Sequence, residues 1–312
     1  MNNTTPISQP SLTPEATTTP VGHTPPVEYQ QRLAVERPRA WRGVVALVLL
    51  LLGMLVFSAL FSLLGMVVDN LLTGATPEGL TPLSFAGALV GLALLTPWSM
   101  LLQKWFFGVP MASLHSIVSK FRWGHFGKTV AIAVPVFALL QFVYPWLLPY
   151  QTTDYSTLDV VAYLIIGVTL MPLQAMGEEY AFRGLAFRIA ASWGRGPRAG
   201  LVIGILVSSL LFTLAHLALD PWLNLYYFTF GVALCIITWR TGGLEIAIVL
   251  HAVNNVLASV VSVALRQDLD TGFDRSVGAA NAVMLIPCAL LLIVAALVWW
   301  RTPQPASQTL PR

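Results

Sequence analysis

Residues 160–190 read VVAYLIIGVTLMPLQAMGEEYAFRGLAFRIA, and this stretch decides the class of fold. It is apolar at nearly every position up to Met176. Glu178, Glu179 and Arg183 then arrive with no loop signal, and the apolar character resumes through Leu185, Phe187 and Ile189. A spanning helix needs ~20 apolar residues, and a charge at the bilayer centre costs roughly 2.5–3.5 kcal/mol on insertion scales. Ionisable groups kept at that cost mark a functional site inside a membrane protein.

The rest of the chain agrees with that class. It is 56% hydrophobic and only 10% charged, with mean hydropathy +0.73, against about 25% charged in a soluble domain. Seven further apolar runs, at about 43–68, 83–102, 129–148, 200–219, 222–239, 244–265 and 281–300, join 160–190 to give eight candidate spans. The expectation is an all-α polytopic membrane protein, with an eight-helix membrane domain over 43–301. Cys235 and Cys288 both fall in apolar spans and read as small buried hydrophobes. Residues 1–31 contain no Lys or Arg, are rich in Thr and Pro, and lack the features of a signal peptide. Residues 1–42 and 302–312 are therefore expected to be disordered tails, too poor in apolar surface to offset chain entropy.

Charge sets the orientation. With the N-terminus inside and eight alternating spans, fifteen of the 17 basic residues fall on the cytoplasmic side. These are Arg32, Arg37, Arg39 and Arg42, then Lys104, Lys120, Arg122 and Lys128, then Arg183, Arg188, Arg195 and Arg198, and finally Arg240, Arg301 and Arg312. Only Arg266 and Arg275 fall outside, among outer loops that collect Asp69, Glu78, Asp154, Asp159, Asp220, Asp268, Asp270 and Asp274. This predicts a multi-pass protein of the cell membrane with both termini cytoplasmic. The net charge of +3 fits contact with an anionic lipid leaflet. No basic-aromatic module points to nucleic acid.

Three polar groups interrupt the spans. Glu179 and Arg183 lie at i and i+4, where side chains meet, whereas Glu178 points about 100° away and has no such partner. Glu178 is thus the carboxylate left for general acid–base chemistry, and Glu179 the structural one. On helical rise, Glu178 is ~20 Å and His216 ~24 Å from the cytoplasmic turns, His251 ~10 Å and Asn255 ~17 Å. Those depths suggest a funnel open to the cytoplasm. His251 and Asn255 share a face at i and i+4, while Asn254 points elsewhere. One free Glu, two His and one Asn supply the base and the oxyanion donors that peptide hydrolysis needs. Two His and a carboxylate also permit zinc, which would take Glu178, His216 and His251. The helical His-Glu-x-x-His arrangement is absent, so no cofactor is favoured.

In order along the chain, Glu178-Glu179-x-x-x-Arg183, Phe212-x-x-x-His216 and His251-x-x-x-Asn255 resemble the three motifs of the CPBP family. That family groups type II CAAX prenyl endopeptidases with bacteriocin-processing and abortive-infection proteins. The likeness covers roughly residues 130–265. It implies an intramembrane endopeptidase acting on membrane-associated or lipidated proteins and peptides. By that likeness Glu178 and His216 activate water, His251 and Asn255 bind the oxyanion, and Glu179 with Arg183 supports the site. The alternative is a catalytically silent membrane scaffold or bacteriocin-immunity factor of the same fold. A proton-coupled transporter ranks below both, because such transporters are built from repeats and none is evident.

Overall fold

The computed structural model describes residues 26–36, 38–74, 79–147, 150–272, 274–302 and 306–308. Its helices are α1 (Ala40–Thr73), α2 (Pro82–Ala93), α3 (Leu95–Phe107), α4 (Trp123–Val143), α5 (Thr157–Glu179), α6 (Phe187–Ala191), α7 (Pro197–Ala215), α8 (Pro221–Thr241), α9 (Glu245–Ala264), the single turn α10 (Leu269–Gly272) and α11 (Leu285–Arg301). Eight helical segments among the described residues are long and apolar enough to cross a membrane. They are the eight spans of the sequence in the same order, so the chain is an all-α polytopic membrane protein.

Three spans differ in detail from the apolar runs. The second bends at Leu94, between α2 and α3. The fourth extends from α5 into α6 through a π-helical stretch, Tyr180–Ala186. The fifth ends at Ala215, short of the expected 219, because His216 and Leu217 turn the chain and Leu217 adopts φ 51°.

The loops sort into two ends. At one end the Leu80 N–H donates to Asp270, Thr153 N–H to the Arg266 carbonyl, and Leu219 N–H to the Arg275 carbonyl. At the other, Ile117 N–H donates to the Gly242 carbonyl, Leu244 N–H to the His115 carbonyl, and Ala306 N–H to the Arg240 carbonyl. Alternate connections therefore meet, as eight antiparallel crossings require.

The expected disorder of residues 1–42 and 302–312 needs correction where those residues are described; 1–25 lie outside the described residues. Val27–Glu28 (β1) pairs antiparallel with Ser307–Gln308 (β2), and Tyr29 and Leu33 are fully buried. The Tyr29 hydroxyl donates to the Leu114 carbonyl at 2.7 Å, and the Arg188 guanidinium lies 4.0 Å over its ring. Composition underrates this segment, because two apolar anchors and one buried cation suffice to order it.

Small residues let the helices touch. A Cβ on Gly87 would stand 2.0 Å from the Phe61 carbonyl oxygen and one on Gly91 2.4 Å from that of Phe57. Such close backbone approach is how helices pack in lipid, where the hydrophobic effect does not drive them together. At Gly177 a Cβ would lie 2.1 Å from the Leu92 oxygen. The residue before Glu178 thus seats α5 directly on α2.

Candidate active site

The site begins where α5 passes into the π-helical turn. From Gly177 to Ala191 every residue is buried, so the charged run is interior rather than a solvated helix end. π-turns are rare and concentrate at functional sites. Here the turn follows the two glutamates and is closed by the Phe187 N–H donating to the Phe182 carbonyl.

The two glutamates occupy different environments. Glu179 Oε1 accepts from Arg183 Nη1 at 2.9 Å and sits 2.7 Å from His251 Nδ1. Arg183 is wholly buried, its guanidinium 4.1 Å over the Phe212 ring and 5.5 Å from that of Phe230. One carboxylate oxygen thus anchors both a cation and an imidazole. Glu178, 4% exposed, has its Oε2 3.6 Å from His251 Nε2. That oxygen is buried and has no hydrogen-bond partner. His251 therefore lies between the two carboxylates, with one ring nitrogen fixed on Glu179 and the other facing Glu178.

His216 is placed differently. It caps the C-terminus of α7, its Nδ1 lies 2.7 Å from the Phe212 carbonyl oxygen, and its ring stacks on Tyr227 at 3.8 Å. With Nδ1–H on that carbonyl, Nε2 is left as an acceptor. Phe212 stands between the histidines, its centroid 4.6 Å from His216 and 6.1 Å from His251. The imidazole next to Glu178 is that of His251, and His216 lies across the aromatic wall of Phe212 and Tyr227. Asn255 Nδ2 donates to Gln174 Oε1 at 3.2 Å, and its Oδ1 accepts from Asn254 at 3.1 Å. Asn254 also reaches the Tyr226 hydroxyl at 3.3 Å, so its partners are side chains and not a backbone carbonyl.

α9 starts inside the protein, because Glu245 is fully buried in a two-pronged pair with Arg122, at 2.9 and 2.6 Å. Toward the basic end the site is sealed by Tyr29, Tyr180 and Leu244, each at most 1% exposed, and Tyr180 is held by His115. The partly exposed residues are His216, Asn254 and Asn255.

Residues that sequence reasoning passed over complete the site. Asp220 caps α8 through the N–H groups of Trp222 and Leu223, and also accepts from Gly278 at 2.9 Å. Burial would raise its proton affinity, but the N–H donors outweigh it and hold the carboxyl below the usual carboxylate range. This pins the loop carrying Arg275, whose guanidinium lies 5.9 Å from the Tyr227 ring. Tyr227 and Phe230 gave no signal, being aromatics in an apolar span. Gln174 could have been found as an amide four residues before Glu178.

A catalytic zinc needs three protein ligands around one point and an open position. Among the described residues no group of three or more His, Cys, Asp or Glu side chains is placed to hold a metal ion. His251 Nδ1 and Arg183 both engage Glu179.

Comparison with known proteins agrees with this geometry. Residues 157–257 match the family model described as type II CAAX prenyl endopeptidase Rce1-like. A 114-residue stretch is 29% identical to the uncharacterized protein YyaK of Bacillus subtilis (strain 168), covering 34% of this chain and 36% of that protein. No solved structure matches. All seven motif residues, from Glu178 to Asn255, fall inside the matched segment, so the part of the chain that builds the site is similar to the Rce1-like type II CAAX prenyl endopeptidases.

Proposed function

We propose that this protein is an intramembrane endopeptidase that cleaves membrane-associated or lipidated proteins and peptides. The observation that carries the reading is the buried Glu178 carboxylate, with a partnerless oxygen 3.6 Å from an imidazole that is itself fixed by Glu179. A carboxylate held in such a place is a general base in waiting.

In the proposed cycle Glu178 takes a proton from water as the water oxygen attacks the scissile carbonyl carbon. His216 Nε2 accepts a hydrogen bond from that water and orients it. The carbonyl oxygen becomes an oxyanion, met by an Asn255 Nδ2–H and by the Nε2–H of a doubly protonated His251 whose Nδ1–H stays on Glu179. Protonated Glu178 then gives its proton to the leaving nitrogen, the C–N bond breaks, and an acid and an amine are released. Glu179 holds His251 in register and Arg183 balances its charge, so that the oxyanion donors are preorganised. The test is proteomics of protein C-termini and membrane peptides in cells carrying the wild type or Glu178→Ala. Fragments present only with the wild type support the reading; identical termini in both overturn it and favour a silent scaffold.

Catalysis is proposed to be metal-free. The purified protein is expected to contain no stoichiometric zinc and to keep its activity after dialysis against a chelator. One zinc per chain, lost with activity and restored with it, contradicts this.

Both termini are placed in the cytoplasm on the distribution of basic residues. Single cysteines introduced at Asp154 or Ser276 are expected to react with an impermeant maleimide on intact cells. Those at Lys120 or Arg195 should react only after lysis. The reverse pattern inverts the orientation.

A further inference from the structure

The base and the oxyanion donor are not independent. Gln174 lies one helical turn before Glu178 on α5 and is 6% exposed. Its amide shares the face of Glu178 at i and i+4 and is turned to within reach of that carboxyl, and its Oε1 accepts from Asn255 Nδ2 at 3.2 Å. An amide is the side chain that can do both, since it donates through nitrogen and accepts through oxygen. The contact with Asn255 also settles which way that residue's amide points. Asn254 donates to its Oδ1 and Gln174 takes one of its N–H bonds, so the second N–H is left for an oxyanion. The network then ends on the Tyr226 hydroxyl, 3.3 Å from Asn254. Pro172, two residues upstream, lies inside α5 and removes one backbone donor there.

We infer that Gln174 is a positioning residue that ties Glu178 on α5 to Asn255 on α9, so that base and oxyanion donor move as one unit. This rests on the endopeptidase reading above. Gln174 takes no part in bond making. It fixes the direction of the Glu178 carboxyl and orients the Asn255 amide, and a misplacement of about 1 Å can cost on the order of 10²-fold in turnover.

The test uses the full-length protein in detergent and a fluorogenic peptide spanning a cleavage site mapped by the proteomics above. Gln174→Met keeps the volume and loses the hydrogen bond to Asn255 and the amide beside Glu178. It is expected to lower kcat by on the order of 10²-fold with KM within about twofold, a split that marks loss of transition-state stabilisation. On an Asn255→Ala background the same substitution should cost distinctly less, because interacting residues are not additive. Gln174→Glu places a second carboxylate beside the first, and like charges disfavour each other's ionised form. The acid limb of its kcat profile should move to higher pH, which a merely structural role would not cause; this variant carries the test should Gln174→Met fail to accumulate. Wild-type kcat in Gln174→Met, an unmoved acid limb in Gln174→Glu, or full additivity with Asn255→Ala overturns the inference while Glu178→Gln remains dead. Normal turnover in Glu178→Gln overturns the endopeptidase reading itself.

Discussion

Glu178→Gln should lower peptide cleavage by on the order of 10²–10⁴-fold, the range set by loss of a general base, while the protein accumulates normally in the membrane. The substitution is isosteric and removes a charge whose Oε2 has no hydrogen-bond partner, so little holding the fold together is lost. The surrounding anchors, Arg183 on Glu179 and His251 on Glu179, do not involve it. Turnover by purified Glu178→Gln, compared with its thermal unfolding midpoint, checks the prediction. Near-normal turnover refutes the assignment of the base. A collapsed midpoint would show instead that Glu178 supports structure.

Glu179→Ala should fail in the opposite way, with activity and accumulation lost together. Glu179 Oε1 serves Arg183 at 2.9 Å and His251 at 2.7 Å, and Glu179 and Arg183 are wholly buried. Removing one partner of a buried pair costs about 3–5 kcal/mol, because the remaining charge is left uncompensated. Arg183 has little in reserve: its Nε and Nη2 already lack partners, and it would keep only the ring faces of Phe212 and Phe230. Against a total stability of about 5–15 kcal/mol, that loss depletes the membrane-inserted protein. Glu179→Gln keeps an acceptor oxygen and should fall between the two. Membrane levels by immunoblot and the unfolding midpoint in detergent measure the effect; a stable, abundant Glu179→Ala protein refutes it.

The segment similar to the Rce1-like family carries Glu178, Glu179, Arg183 and His251. The chain spans only about a third of the length of the Bacillus subtilis relative it matches, so substrates and partners rest on the experiments proposed above.

The sequence alone determined the eight spans, because lipid demands long uninterrupted apolar helices and leaves few other ways to arrange such residues. It also marked Glu178, Glu179, Arg183, His216, His251 and Asn255, since polar groups stand out against an apolar background. Helical spacing within one span offered Arg183 to Glu179, a local relation fixed by the 3.6-residue turn. Relations between spans were decided only by the tertiary structure. Which histidine neighbours Glu178 depends on how α7 and α9 sit against α5, and the early end of α7 at Ala215 turns His216 onto Tyr227. The start of α9 is buried because Arg122, from another part of the chain, pairs with Glu245. The hydrogen bond from Asn255 to Gln174 joins residues 81 positions apart. Spacing along one helix cannot carry such information, because it is set by the packing of several helices at once.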